Sequence, residues 1–198
     1  LLASHVVDAS ARAHHVVGEF FTRPLAEQLI ELLVASPRPG ARALLRAMES
    51  CGDRRTACTV RERAHDVLVE PAPEWELAIG KGRVAFVQLK NYRLSGQGAV
   101  DTLYFDLAWP DETEAELALS FDQAGVDRFT YAAAGHSLCD LDRMLLIGNG
   151  MSAGTAHPLE RAEARVAAGL RHDEALRRTG AQSALDGLRG LVRSVLAR

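Results

Sequence analysis

Apolar residues recur every three or four positions over the first third of the chain, alternate through the middle, and return to the longer spacing towards the end. A spacing of 3.6 gathers side chains on one face of a helix, and a spacing of two puts them on one face of a strand. Val6, Ala9, Ala13, Val16, Val17 and Phe20 predict an amphipathic helix over 3–21, and Leu25, Leu29, Leu32 and Leu33 predict a second after Pro24. Leu44, Leu45 and Met48 predict a third over about 41–51, ended by Gly52. Asp53 can cap a fourth, with Ala57, Val60, Ala64 and Val67 facing inward.

Beyond Pro71 and Pro73 the rhythm shortens. Trp75, Leu77 and Ile79 alternate with Glu74, Glu76 and Ala78, Gly80-Lys81-Gly82 makes a turn, and Val84 and Phe86 continue the alternation to Leu89. Leu103, Phe105, Leu107 and Trp109 alternate with Thr102, Tyr104 and Asp106, and Pro110-Asp111-Glu112-Thr113 turns the chain into Leu117, Leu119 and Phe121. These four segments predict an antiparallel meander with one apolar face and one polar, acidic, solvent-facing side. Helix is expected again over 122–134, from the cap Asp122 through Val126, Phe129 and Ala133. Two more helices follow, one opened by Pro158 and one carrying Leu185, Leu188, Val192 and Val195.

The class this implies is α+β: N-terminal helical hairpins over about 1–70, a four-stranded antiparallel meander, and C-terminal helices packing on the sheet, with residues 71–198 forming the sheet and its cover in one compact unit. Segments 122–134 and 183–196 are the expected covering helices.

Composition narrows the function classes. The 198 residues are 47% hydrophobic with net charge −3, the balance of a globular protein, and Leu29–Val34 is interrupted by Glu31, so no membrane span is expected. Cys51, Cys58 and Cys139 are odd in number and lack metal-site spacing, which points to three buried small hydrophobic side chains in a reducing, cytoplasmic setting. The chain starts at Leu1 without an initiator Met and reads as a fragment or a processed product. Charge is uneven: seven acids and no base lie between Asp101 and Asp122, whereas eight Arg face five acids from Pro158 to Arg198. Such blocks can attract one another within a chain or between two copies.

Several strings carry candidate chemistry. Leu145–Gly154, with Gly148, Gly150 and Gly154, superficially resembles a phosphate-binding turn, but its spacing and the helical remainder do not fit a parallel nucleotide-binding fold. Ser137 with Asp140 reads as a helix cap closed by Gly148. His136, Asp140 and His157 could supply acid–base groups, with Asn149 and Ser152 as positioning residues. His5, His14 and His15 diverge around the first helix and do not converge on a metal. Arg38, Arg42 and Arg46 repeat every four residues within a stretch of seven Arg reaching Arg63, a stripe able to neutralise phosphates if one helix carries it.

The leading expectation is a non-catalytic, protein-binding or self-associating module that uses no cofactor or metal. The second is a hydrolase or transferase for a phosphate-bearing or small polar substrate, with 136–157 lining the site. The third is nucleic-acid binding through the Arg38–Arg63 stripe.

Overall fold

The computed structural model describes residues 25–36, 38–94, 98–123, 127–135, 154–179, 181 and 183–196. Among them are seven helices and a five-stranded antiparallel sheet, an α+β architecture with helices on both sides of the sheet in sequence. The chain divides into two compact units, one of residues 1–82 and 187–196 with 198, the other of residues 83–186 with 197.

The helical unit opens with α1 (Leu25–Val34), α2 (Pro39–Cys51) and α3 (Arg54–Arg63), followed by the short α4 (His65–Leu68) and α5 (Glu74–Ala78). Its core is Ile30, Leu45, Met48, Val60 and Ala64, with Leu29, Leu33, Leu44 and Val67 packed around them. All of these but Ile30 are stripe residues that the sequence spacing predicts, whereas Leu32, expected to face inward with them, is exposed. Asp53 caps α3 by accepting the Thr56 backbone N–H at 2.8 Å. Most of 75–79, expected as a strand, lies in α5 instead, with Pro73 before its first turn, Glu74 and Glu76 within it and Ile79 just past its end. The next residues turn at Gly80, whose φ of 78° suits glycine and whose missing side chain leaves room for Ser50. The last helix, α7 (Arg189–Leu196), packs on α2.

The sheet unit is built from β1 (Arg83–Leu94), β2 (Gly98–Ala108), β3 (Glu114–Asp122), β4 (Phe129–Gly135) and β5 (Thr155–Ala156), in the order β4-β3-β2-β1-β5. The meander thus has four long strands as expected, but its first lies one segment later and its fourth is 129–135. That last segment, expected as part of a helix, pairs with β3 through Phe129 opposite Phe121 and Ala133 opposite Ala118. The fifth strand adds only two residue pairs to β1.

Register sorts the side chains cleanly. Val87, Leu103, Phe105, Leu107, Leu117, Leu119, Phe121 and Phe129 share one buried face. Helix α6 (Leu159–Arg178) covers it, with Gly169 so close to the Phe129 ring that a Cβ there would lie 2.6 Å from it. The covering helix is therefore α6, not 122–134 or the end of the chain. The other face is not wet at its centre: Tyr92, Thr102, Tyr104, Ala118 and Ser120 are all buried. There Tyr92 and Tyr104 share a hydroxyl hydrogen bond of 2.8 Å, and so do Thr102 and Ser120. Lys90 sits 4.6 Å from the centre of the Tyr104 ring.

Candidate functional site

Within the helical unit, polar chemistry concentrates on Glu76. Its position in α5 buries the carboxylate completely, an arrangement that is tolerable only with full pairing. The partners come from one face of α2. Arg42 donates from Nε to Oε1 at 2.7 Å and from Nη2 to Oε2 at 3.0 Å, a bidentate fork. Arg46 donates from Nε to Oε1 at 2.8 Å and from Nη2 to the Leu68 carbonyl at 2.6 Å. Burial pushes the Glu76 carboxyl up, but the hydrogen bonds and charges of Arg42 and Arg46 outweigh it and hold the group below the usual carboxylate range. Arg42 also reaches Glu70 at 3.4 Å.

Of the three arginines in the proposed stripe, Arg42 and Arg46 thus converge on one carboxylate, while Arg38 precedes α2 without a side-chain cap bond. Arg38 and Arg42 do line a common hollow of about 330 Å³, walled by Val34, Val67 and Glu70. Nothing in the sequence pointed to Glu76 as their partner, because it lies 30 and 34 positions away.

The sheet unit holds a second polar cluster around Asp101. Its carboxylate accepts from Asn91 and Gln123 side chains and, at 2.9 Å, from Arg165 Nη1 of α6. Arg165 also reaches Asp127 at 3.1 Å and lies over the Phe121 ring. Burial raises the Asp101 carboxyl, and the bonds from Gln123, Arg165 and Asn91 more than compensate, leaving it below its ordinary value. His157 falls beside this cluster. Its backbone N–H donates to the Val87 carbonyl at 3.0 Å, and its imidazole is held below the ordinary histidine value by burial first, then by Arg161 and Arg165, with Asp101 acting in the opposite direction. Such a ring is predominantly neutral at neutral pH and can accept a proton. His136, Asp140, Asn149 and Ser152, its expected companions, lie outside the described residues, as does the glycine run 148–150.

A cleft of about 400 Å³, also in the sheet unit, is lined by Arg128, Thr130, His172, Asp173 and Ser183. Ser183 donates its hydroxyl to Asp173 Oδ1 and accepts the Leu185 backbone N–H at 2.9 Å. The hydroxyl is thereby fixed in the turn that leads out of the unit, an arrangement that orders the chain more directly than it activates a nucleophile. No local spacing marks this pair, since ten residues separate the two partners.

Among the described residues no group of three or more His, Cys, Asp and Glu is placed to hold a metal ion, and no helix is long and apolar enough to cross a membrane. Comparison with models of protein families, with curated proteins and with solved structures gives no match for this chain.

Proposed function

We propose that this chain is a non-catalytic binding module that associates with another protein or with copies of itself. The observation that carries this reading is the apolar surface that the helical unit leaves in water: Leu32 is 70% exposed, Val69 64%, Trp75 50% and Leu77 43%. Covering one such side chain is worth about 1.5–3 kcal/mol, and tryptophan is among the residues that most often anchor protein interfaces. The polar groups point the same way. Arg42, Arg46, Glu76, Asp101 and Arg165 are engaged in internal ion pairs that stiffen each unit. Two guanidinium groups of the Arg38–Arg46 stripe are already committed to carboxylates, which weakens the case for phosphate binding there. Cys51 and Cys58 form no disulfide, which fits a cytoplasmic setting, although Cys58 is exposed and not buried as expected.

Light scattering coupled to size-exclusion chromatography, together with quenching of Trp75 fluorescence, tests the reading. Association above the monomer mass, with Trp75 shielded from a soluble quencher and the assembly weakened by Trp75→Ala, is the expected result. A monomer at every concentration, with Trp75 fully open to quencher in the presence of candidate partners, would remove it.

A further inference from the structure

β4 is the outermost strand on one side of the sheet, and among the described residues no strand pairs with its outer edge. An edge strand offers alternate backbone N–H and C=O groups to any extended chain that comes alongside, and proteins commonly guard such an edge with a charge or a proline. The segment Phe129–Gly135 reads Phe-Thr-Tyr-Ala-Ala-Ala-Gly and contains neither. Its run of alanines also leaves no long side chain to overhang the backbone.

A hollow adjoins this edge where the strand begins. Phe121 opposes Phe129 and Ser120 opposes Tyr131, so Thr130 is one residue more than β3 matches, a bulge. Such an extra residue bends its strand and re-aims its side chain, and bulges recur beside functional sites. Arg128, Phe129 and Thr130 all line the cleft of about 400 Å³, which His172, Asp173 and Leu176 of α6 wall on the other side. A hollow that touches both neighbours of Phe129 as well as the helix covering it opens at the margin of the sheet, beside the edge of β4.

Charge in the cleft is divided by depth. Asp173 is 4% exposed and its Oδ1 accepts the Ser183 hydroxyl. Arg128 stands exposed and forms no ion pair among the described residues. The charge presented to an arriving chain is therefore the guanidinium, which can grip a carboxylate with two parallel hydrogen bonds.

We infer that the edge of β4 receives an extended acidic segment of a partner protein, which adds to the sheet as a further strand and seats a carboxylate against Arg128 at the cleft. This rests on the protein-binding reading above and gives it a place and an occupant. Main-chain hydrogen bonds along Tyr131–Gly135 supply the affinity, and the cleft supplies the choice of side chain. A second copy suits the site less well: its own β4 carries no charge, and Asp127 beside it is held by Arg165 at 3.1 Å, so Arg128 would gain no counter-ion.

Selection from a phage-displayed library of random peptides about ten residues long, the upper length of a strand, tests this on the full chain. The expected binders alternate β-branched with polar residues and carry Asp or Glu at one fixed position. A selected peptide, synthesised and titrated by fluorescence anisotropy, loses affinity by about tenfold or more against Arg128→Glu, and by a similar factor when its alternate amides are N-methylated. Lys at its acidic position restores binding to Arg128→Glu, a recovery that a misfolded variant could not show. Amide hydrogen exchange in the wild-type complex slows over 131–135. Failure to enrich any peptide, or peptides indifferent to Arg128→Glu or to N-methylation, would overturn this docking. Peptides that instead shield Trp75 would do so while leaving the broader binding reading standing, and a monomer that shields neither surface would overturn both. Protection of 131–135 that grows with protein concentration in the absence of peptide would assign the edge to a second copy and overturn the proposal.

Discussion

Replacing Glu76 by Gln is the sharpest probe of the helical unit. The substitution keeps the side chain's size and one carbonyl oxygen but removes the charge that Arg42 and Arg46 share, and it places an amide N–H₂ against guanidinium groups that have no acceptor to offer it. Breaking one partner of a fully buried ion pair costs about 3–5 kcal/mol. The arginines here retain 15% and 18% of their side-chain surface in water and can recover part of their hydration, so a loss of about 2–4 kcal/mol is the reasoned figure. Denaturant titration followed by circular dichroism reads it as a lower midpoint at unchanged slope. The pH dependence supplies the sign. Because the folded-state group ionises below its ordinary range, its contribution is fully present above the unfolded value of about 4.3 and disappears as pH falls through the lower folded value. The gap between wild type and Glu76→Gln is thus flat above about pH 5 and closes in stronger acid. A penalty below about 0.5 kcal/mol at neutral pH, or a gap that does not change down to pH 2, would refute the assignment of this stability to the Arg–Glu–Arg group.

Two further substitutions address single elements. Asp53→Ala removes the side-chain acceptor at the start of α3 and is expected to lower the stability of the helical unit by about 1 kcal/mol, measurable by the same titration, with Asp53→Asn largely retaining it. Gly169→Ala drives a methyl group against the Phe129 ring and the Asp127 carbonyl, so despite alanine's better helix propensity it is expected to destabilise the sheet unit by about 1–3 kcal/mol in thermal melts.

What the sequence revealed depended on how far each element relies on its own pattern. Leu44, Leu45 and Met48 in α2, and the alternation of Leu103, Phe105 and Leu107 in β2, run long enough for one period to exclude the other. Residues 74–78 are too short for that: five positions fit a strand or one turn and a half of helix equally well. What decides between them is Glu76, whose burial against Arg42 and Arg46 is set by tertiary partners. In β4 the three consecutive alanines 132–134 favoured helix by intrinsic propensity, and pairing with β3 overrode it. The polar clusters were harder still to foresee. Asp101 and Arg165 are 64 residues apart, and no local spacing marks either as the other's partner.

The division of the chain has a consequence for how the protein is made. Synthesis proceeds through α1 to α5, then through the whole sheet unit, and only afterwards delivers α7, the segment that packs on α2. A nascent chain emerging from the ribosome must therefore hold its first unit unfinished while roughly a hundred further residues are added, and closing so long a loop is slow when those residues are still a coil. Prior folding of the inserted meander, whose strands β1 to β4 join neighbour to neighbour, shortens that wait, and stop codons that remove only the final ten residues would strand the α2 surface without its lid.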